Sequence, residues 1–230
     1  MNLKEIVRPQ VIFEDLIHLG NDGDGAYIVP RSALDCDELY SYGISDNITM
    51  EDDWTRLTNH KPALLYDMTV ESPVLQPGMS FFKEGLSGEQ THNTNNYLNH
   101  YKKNNSSSKN ILLKVDIEGN EYEWIENTDI KELSQTVYCL TMEFHWVGRY
   151  KNQFINCINK LKEYYEVIHI HGNNYAGITN DNCPEVPEMT FIRKDNYKFG
   201  GPVTCKYPII GLDFPNNNAW ADIAIDYSVV

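Results

Sequence analysis

Ionisable residues close most of the apolar runs of this chain. Asp67 follows Ala63-Leu64-Leu65-Tyr66, Asp116 and Glu118 follow Ile111-Leu112-Leu113-Lys114-Val115, Glu143 and His145 follow the run 137–142, and His169 and His171 fall at the end of 166–170. Carboxylates and imidazoles brought to one place can accept a proton from a hydroxyl, hold a divalent ion, or bind a vicinal diol. Asp67 lies about twenty residues beyond the turn Tyr42-Gly43-Ile44-Ser45, the spacing at which a carboxylate holds ribose hydroxyls. That turn lacks the GxGxxG pattern a pyrophosphate needs, which counts against NAD and FAD and leaves a nucleoside cofactor without phosphates. S-adenosylmethionine is one, and its sulfonium cation suits an acidic protein.

These positions depend on strands. The chain predicts strands over 26–29, 39–44, 63–66, 80–83, 111–115, 137–142, 166–170 and 188–192. Helices are predicted over 50–59 (capped by Thr49), 95–102, 120–126 and 154–164, with an N-terminal helical segment within 1–30 carrying Ile6, Val7, Val11, Phe13, Leu16 and Ile17. Strands alternating with helices predict an α/β fold: a mostly parallel sheet with helices on both faces and ligands at the carboxyl ends of the strands. In a strand, residues two apart share a face, so His169 pairs with His171 and Glu143 with His145. The stretch 175–187 reads as a long loop and 200–230 as an irregular tail packed back on a single domain spanning 1–230.

The 230 residues suffice for one full core. With 19 Lys+Arg against 33 Asp+Glu, the formal net charge of -14 makes nucleic acid and anionic membrane surfaces poor partners and cations good ones. Five scattered cysteines without CxxC spacing point to reduced thiols rather than a disulfide framework or a zinc site. The N-terminus has no basic patch followed by an apolar run, so the cytoplasm is the expected compartment.

The segment Leu112-Leu113-Lys114-Val115-Asp116-Ile117-Glu118-Gly119-Asn120-Glu121 resembles the LK(I/V)D(I/V)EGxE segment of FkbM-type S-adenosylmethionine-dependent methyltransferases. Asp24-Gly25-Ala26-Tyr27, Tyr40-Ser41-Tyr42-Gly43-Ile44, Glu143-Phe144-His145-Trp146 and His169-Ile170-His171-Gly172-Asn173-Asn174 are similar to further segments of that family and its relatives. The resemblance implies a Rossmann-like sheet of seven strands, the last antiparallel, and O-methylation of a hydroxyl, often on a sugar. The Tyr42-to-Asp46 segment carries less glycine than the family's usual first motif.

On this reading Tyr27, Gly43, Ile44, Ser45, Asp67, Met68, Leu86, Asp116 and Glu118 contact the cofactor, with Asp67 on the ribose and 84–87 near the adenine. With the fifth and sixth strands placed as in the family, Asp116, Glu143, His145 and His171 converge as the catalytic group. A neutral His145 or His171 would then take the acceptor proton, or Asp116, Glu143 and His171 would hold Mg²⁺ or Mn²⁺. Trp146, Tyr150, Tyr175 and Trp220, near polar loops, offer rings for stacking on a small-molecule or carbohydrate acceptor. Asp116 and Glu118 also suit simple capping of the helix that follows. The rival functions are a metal-dependent hydrolase or lyase using the same carboxylates and histidines, and a non-catalytic module that binds a sugar or a protein.

Overall fold

The computed structural model describes residues 2–195 and 197–228. Seven strands form the central sheet: β1 (Glu38–Tyr42), β2 (Ala63–Tyr66), β3 (Met79–Phe82), β4 (Ile111–Val115), β5 (Val137–Glu143), β6 (Tyr165–Gly172) and β7 (Pro187–Arg193). Their order across the sheet is β3-β2-β1-β4-β5-β7-β6. Strands β3 to β5 run parallel, and β7 is antiparallel to both neighbours, β5 and β6. The chain is therefore an α/β protein with a Rossmann-like sheet, as its alternating pattern predicts.

The sheet separates two apolar layers because successive strand residues point to opposite faces. Tyr40, Tyr42, Leu113, Val115, Leu140 and Met142 join one layer, with Trp124 and Ile125 of α4 (Glu121–Asn127) and Phe154 and Ile158 of α6 (Lys151–Leu161). Leu39, Leu65, Leu112 and Cys139 join the other, with Met50 and Trp54 of α2 (Thr49–Leu57). The remaining helices are α1 (Leu3–Ile6), α3 (Tyr97–Lys103) and α5 (Ile130–Leu133). Cys36, Cys139, Cys157 and Cys183 are buried free thiols, and Cys205 is exposed.

The N-terminal segment departs from its helical pattern. Among the described residues up to 30, only Leu3–Ile6 is helical, and Leu16–Leu19 instead pairs antiparallel with Tyr27–Pro30 in a hairpin. Pro9 lacks an N–H and disfavours helical backbone at Arg8, so the first helix stops before it. The start of α2 also differs: Thr49 is its first residue and Ile48 its N-cap, and Asn47 Oδ1 accepts from Thr49 N at 3.1 Å and from Thr49 Oγ1 at 2.8 Å. A short parallel pair, Gly85–Leu86 with Thr94–Asn95, was not legible in the pattern, nor was the pairing of Lys206–Tyr207 with Ile225–Asp226. None of the helices is long and apolar enough to cross a membrane among the described residues.

Candidate functional site

The order of the sheet reverses between β1 and β4, and a cleft of about 330 Å³ opens at the carboxyl ends of β1, β4 and β5. Its floor depends on one glycine. Gly43, just past β1, has φ +72°, and a Cβ there would lie 1.5 Å from the Asp116 carbonyl oxygen. Only glycine lets the β1 turn approach the end of β4 so closely. Three non-glycine residues in the same left-handed region, Ser45 (φ 48°), Glu118 (φ 57°) and Trp146 (φ 59°), follow β1, β4 and β5 and line the cleft. Backbone of this kind costs free energy and clusters at functional sites.

Asp116 and Glu143 form the acidic wall, together with the half-turn that carries Glu118, whose side chain is exposed. Tyr27, from the N-terminal hairpin, donates its hydroxyl to Asp116 Oδ2 at 3.2 Å. Lys114 is buried in β4; its ammonium donates to Gly43 O at 2.5 Å, stands 3.7 Å from Asp116 Oδ2 and lies 5.5 Å from the centre of the Tyr27 ring. Burial pushes the Asp116 carboxyl up despite Lys114, and burial with the Asp116 charge pushes Glu143 up further.

His145 is held from both ring nitrogens. Nδ1 lies 3.0 Å from Glu121 Oε1, and Nε2 lies 3.0 Å from Glu143 Oε1 and 3.4 Å from Glu118 Oε2. Burial alone would lower its pKa, but the bonds to Glu121 and Glu143 outweigh it and raise the imidazole to about 11. These partners favour the protonated imidazole, whereas a proton-accepting His145 needs the neutral one. Glu121 is fully buried, and its Oε1 also accepts the backbone N–H groups of Ile117 and Gly119 at 3.1 Å each.

The other expected residues divide into those at the cleft and those elsewhere. Gly43, Ile44 and Ser45 line it. Asp67 adjoins it through Ser45, accepting Ser45 N at 3.0 Å and also Thr69 N and Thr69 Oγ1 at 2.7 and 2.6 Å. Burial raises the Asp67 carboxyl, but the Thr69 and Ser45 bonds outweigh it and hold it below the usual range. Met68 is partly exposed beside Gly85, whereas Leu86 is buried in the core.

His171 does not join the Asp116 group. It shares a face with His169, as the strand period predicts, but that face meets the C-terminal tail. Nδ1 lies 2.8 Å from Glu188 Oε2 and Nε2 lies 3.1 Å from both Asp222 oxygens, while His169 Nε2 lies 3.0 Å from Asp213 Oδ1. The expected metal group of Asp116, Glu143 and His171 is thus not assembled, because antiparallel β7 inserts between β5 and β6 and carries Glu188 to His171.

Four contributors were missed in the sequence. Lys114 was signalled by a lone charge inside an apolar strand, and Glu121 by its place in the acidic loop. Asp24 and Asn173 were signalled only by lying in segments that carry the family resemblance: Asn173 Nδ2 lies 3.4 Å from both Asp24 Oδ1 and Glu143 Oε2, and Asn216 of the tail donates to Asp24 Oδ1 at 3.0 Å. The tail thereby supports the cleft wall. Among the aromatic candidates, Trp146 and Tyr175 line the cleft with exposed rings, and Trp220 meets Tyr175 edge-on at 6.0 Å.

No protein-family model matches the chain, and no curated protein matches it. Among solved structures it is similar to a chain of the fibrillarin/Nop5p complex, with a TM-score of 0.42 and 8% sequence identity, over 68% of this chain and 72% of that chain.

Proposed function

We propose that this protein is an S-adenosylmethionine-dependent O-methyltransferase acting on a hydroxyl of a sugar, nucleotide-sugar or glycan residue. The observation that carries the reading is the acidic cleft at the β1/β4 reversal of a seven-stranded sheet whose last strand, β7, alone runs antiparallel. In open α/β sheets such a reversal is where ligands bind. The residues suit the cofactor: carboxylates of Asp116, Glu118 and Glu143 face the space a sulfonium would enter, and the Gly43-to-Ser45 turn brings backbone to the same place. In this reading the nucleoside end lies beside Ser45, whose backbone N–H donates to Asp67 Oδ2 at 3.0 Å.

Bound S-adenosylmethionine supplies an electrophilic methyl group. The chain must place a hydroxyl oxygen against it and take the hydroxyl proton. Glu143 is the acceptor for that proton in this reading, since it lines the cleft and its buried carboxylate is fixed from one side by His145 and from the other by Asn173. The His145 cation offsets the charge of Glu143 and Glu121. Trp146 and Tyr175 offer apolar faces on which a sugar ring stacks.

The test is calorimetry with S-adenosylmethionine, followed by transfer of a labelled methyl group to a panel of sugars and nucleotide-sugars. Saturable binding and labelled product are the expected results. A folded protein that does not bind S-adenosylmethionine would refute the reading.

A further inference from the structure

At the back of the acidic wall, Asp116, Glu121 and His145 each bring one ligand-type atom within 4.8 Å of the others. Two oxygens of this trio, Asp116 Oδ1 and Glu121 Oε2, are buried and accept no hydrogen bond. The Glu121 side chain is 0% exposed. A carboxylate oxygen removed from water and left without a donor is costly, and most such groups in folded proteins have a partner. Here two of them occur in one cluster.

The surrounding charge has the same sense. Four carboxylates, Asp116, Glu118, Glu121 and Glu143, lie within 4.0 Å of His145, and the positive groups set against them are two, the imidazole itself and the neighbouring ammonium of Lys114. Spacing also fits an ion. The hydrogen-bonded pair His145 Nδ1 and Glu121 Oε1 is 3.0 Å apart, which is also the separation, about 3.0 Å, of adjacent ligands on a six-coordinate ion with bonds of about 2.1 Å.

We propose that Asp116, Glu121 and His145 form a binding site for one divalent cation of the Mg²⁺ or Mn²⁺ class. On binding the ion, His145 releases its Nδ1 proton to solvent, coordinates through Nδ1 and keeps its Nε2–H directed at Glu143, 3.0 Å away. A carboxylate on the far nitrogen is the usual device for orienting a metal-bound histidine. Two carboxylates and one imidazole make a mostly oxygen set, which favours Mg²⁺ or Mn²⁺ over the softer ions that thiolates select. Asp116 and His145 line the cleft while Glu121 lies behind them, so further coordination positions face the cleft. A hydroxyl bound there would be made more acidic. That role rests on the methyltransferase reading, but the binding of the ion does not.

The experiment is a Mn²⁺ titration of the full chain followed by electron paramagnetic resonance, with pulsed measurement of nitrogen coupling to the ion. One Mn²⁺ per chain is expected, with a nitrogen coupling that His145→Gln removes. Asp116→Asn and Glu121→Gln should each weaken binding by about 10- to 100-fold or more, whereas Asp222→Asn, on the other histidine cluster, should leave it unchanged. Circular dichroism reports whether each variant is folded. Should Glu121→Gln not fold, the partly exposed Asp116 still decides the matter. Absence of saturable Mn²⁺ binding at about 1 mM, or equal binding by folded Asp116→Asn, overturns the site. Calorimetry with S-adenosylmethionine on the same samples separates the two ideas: cofactor binding without Mn²⁺ binding overturns only the ion site, and the reverse overturns only the methyltransferase reading.

Discussion

Glu121 Oε1 lies 3.0 Å from His145 Nδ1 and takes the backbone N–H groups of Ile117 and Gly119 with the same oxygen. One buried carboxylate thus fixes both the loop after β4 and the imidazole after β5. Glu121→Gln retains the size of the side chain but removes its charge, and the amide cannot serve the three donors equally well. The expected cost is about 2 kcal/mol, the range for hydrogen bonds to a charged group. Urea denaturation measures it, and a stability equal to wild type would contradict the role.

Gly43→Ala should be among the most damaging single-methyl changes in the chain. The new Cβ would meet the Asp116 carbonyl at 1.5 Å, and that oxygen is backbone at the end of a central strand. Separating β1 from β4 is expected to cost about 3 kcal/mol or more and to remove ligand binding in the cleft. Denaturant midpoints and S-adenosylmethionine calorimetry test the two parts.

Lys114→Met removes a buried ammonium while keeping an unbranched side chain. Asp116 then loses its nearest cation and Gly43 O loses its donor. Breaking one side of such a buried arrangement is expected to destabilise by about 3 kcal/mol, read as a lowered melting temperature. The loss should shrink in the double variant Lys114→Met with Asp116→Asn, because the stranded charge is gone.

Stability should fall at alkaline pH through His171. Burial lowers its pKa, but Asp222 and Glu188 outweigh it and raise the imidazole to about 10, against about 6.5 when unfolded. The raised folded value means that its contribution is complete below about pH 6.5 and is lost as pH rises toward 10. His171→Gln should flatten that part of the stability profile. Hydrogen exchange in the tail strand Ile225–Asp226, next to Asp222 in the chain, should quicken over the same range in the wild type.

Glu143→Gln should lower methyl transfer about 100-fold or more, the scale of lost proton acceptance, with S-adenosylmethionine still bound. Asn173→Ala releases the other side of the same carboxylate and should have a smaller effect. Single-turnover transfer rates beside calorimetric affinities distinguish the two. A Glu143→Gln variant with full activity would assign proton acceptance elsewhere.

The sequence by itself determined the alternation of strands and helices, because apolar period is a local property and β1 to β7 each carry it within a few residues. It also determined that Asp67, Asp116, Glu143 and His171 end or follow strands, since in-line order needs no knowledge of neighbours. Even so, Leu16 and Ile17 read as helix and lie in a hairpin, because pairing with Tyr27–Pro30 overrides a weak helical pattern broken by Pro9.

Only the tertiary structure decided who meets whom. His145 and His171 look alike in the sequence, each two residues from another ionisable group on a strand. Insertion of β7 between β5 and β6 sends His171 to Glu188 and the tail, and leaves His145 to Glu143 and Glu121. Those partners come from other elements, up to 51 residues away for Asp222, and their carboxylates set both imidazole charges. The charge state of a buried histidine depends on such partners and on burial, so it could not be read until the sheet was assembled.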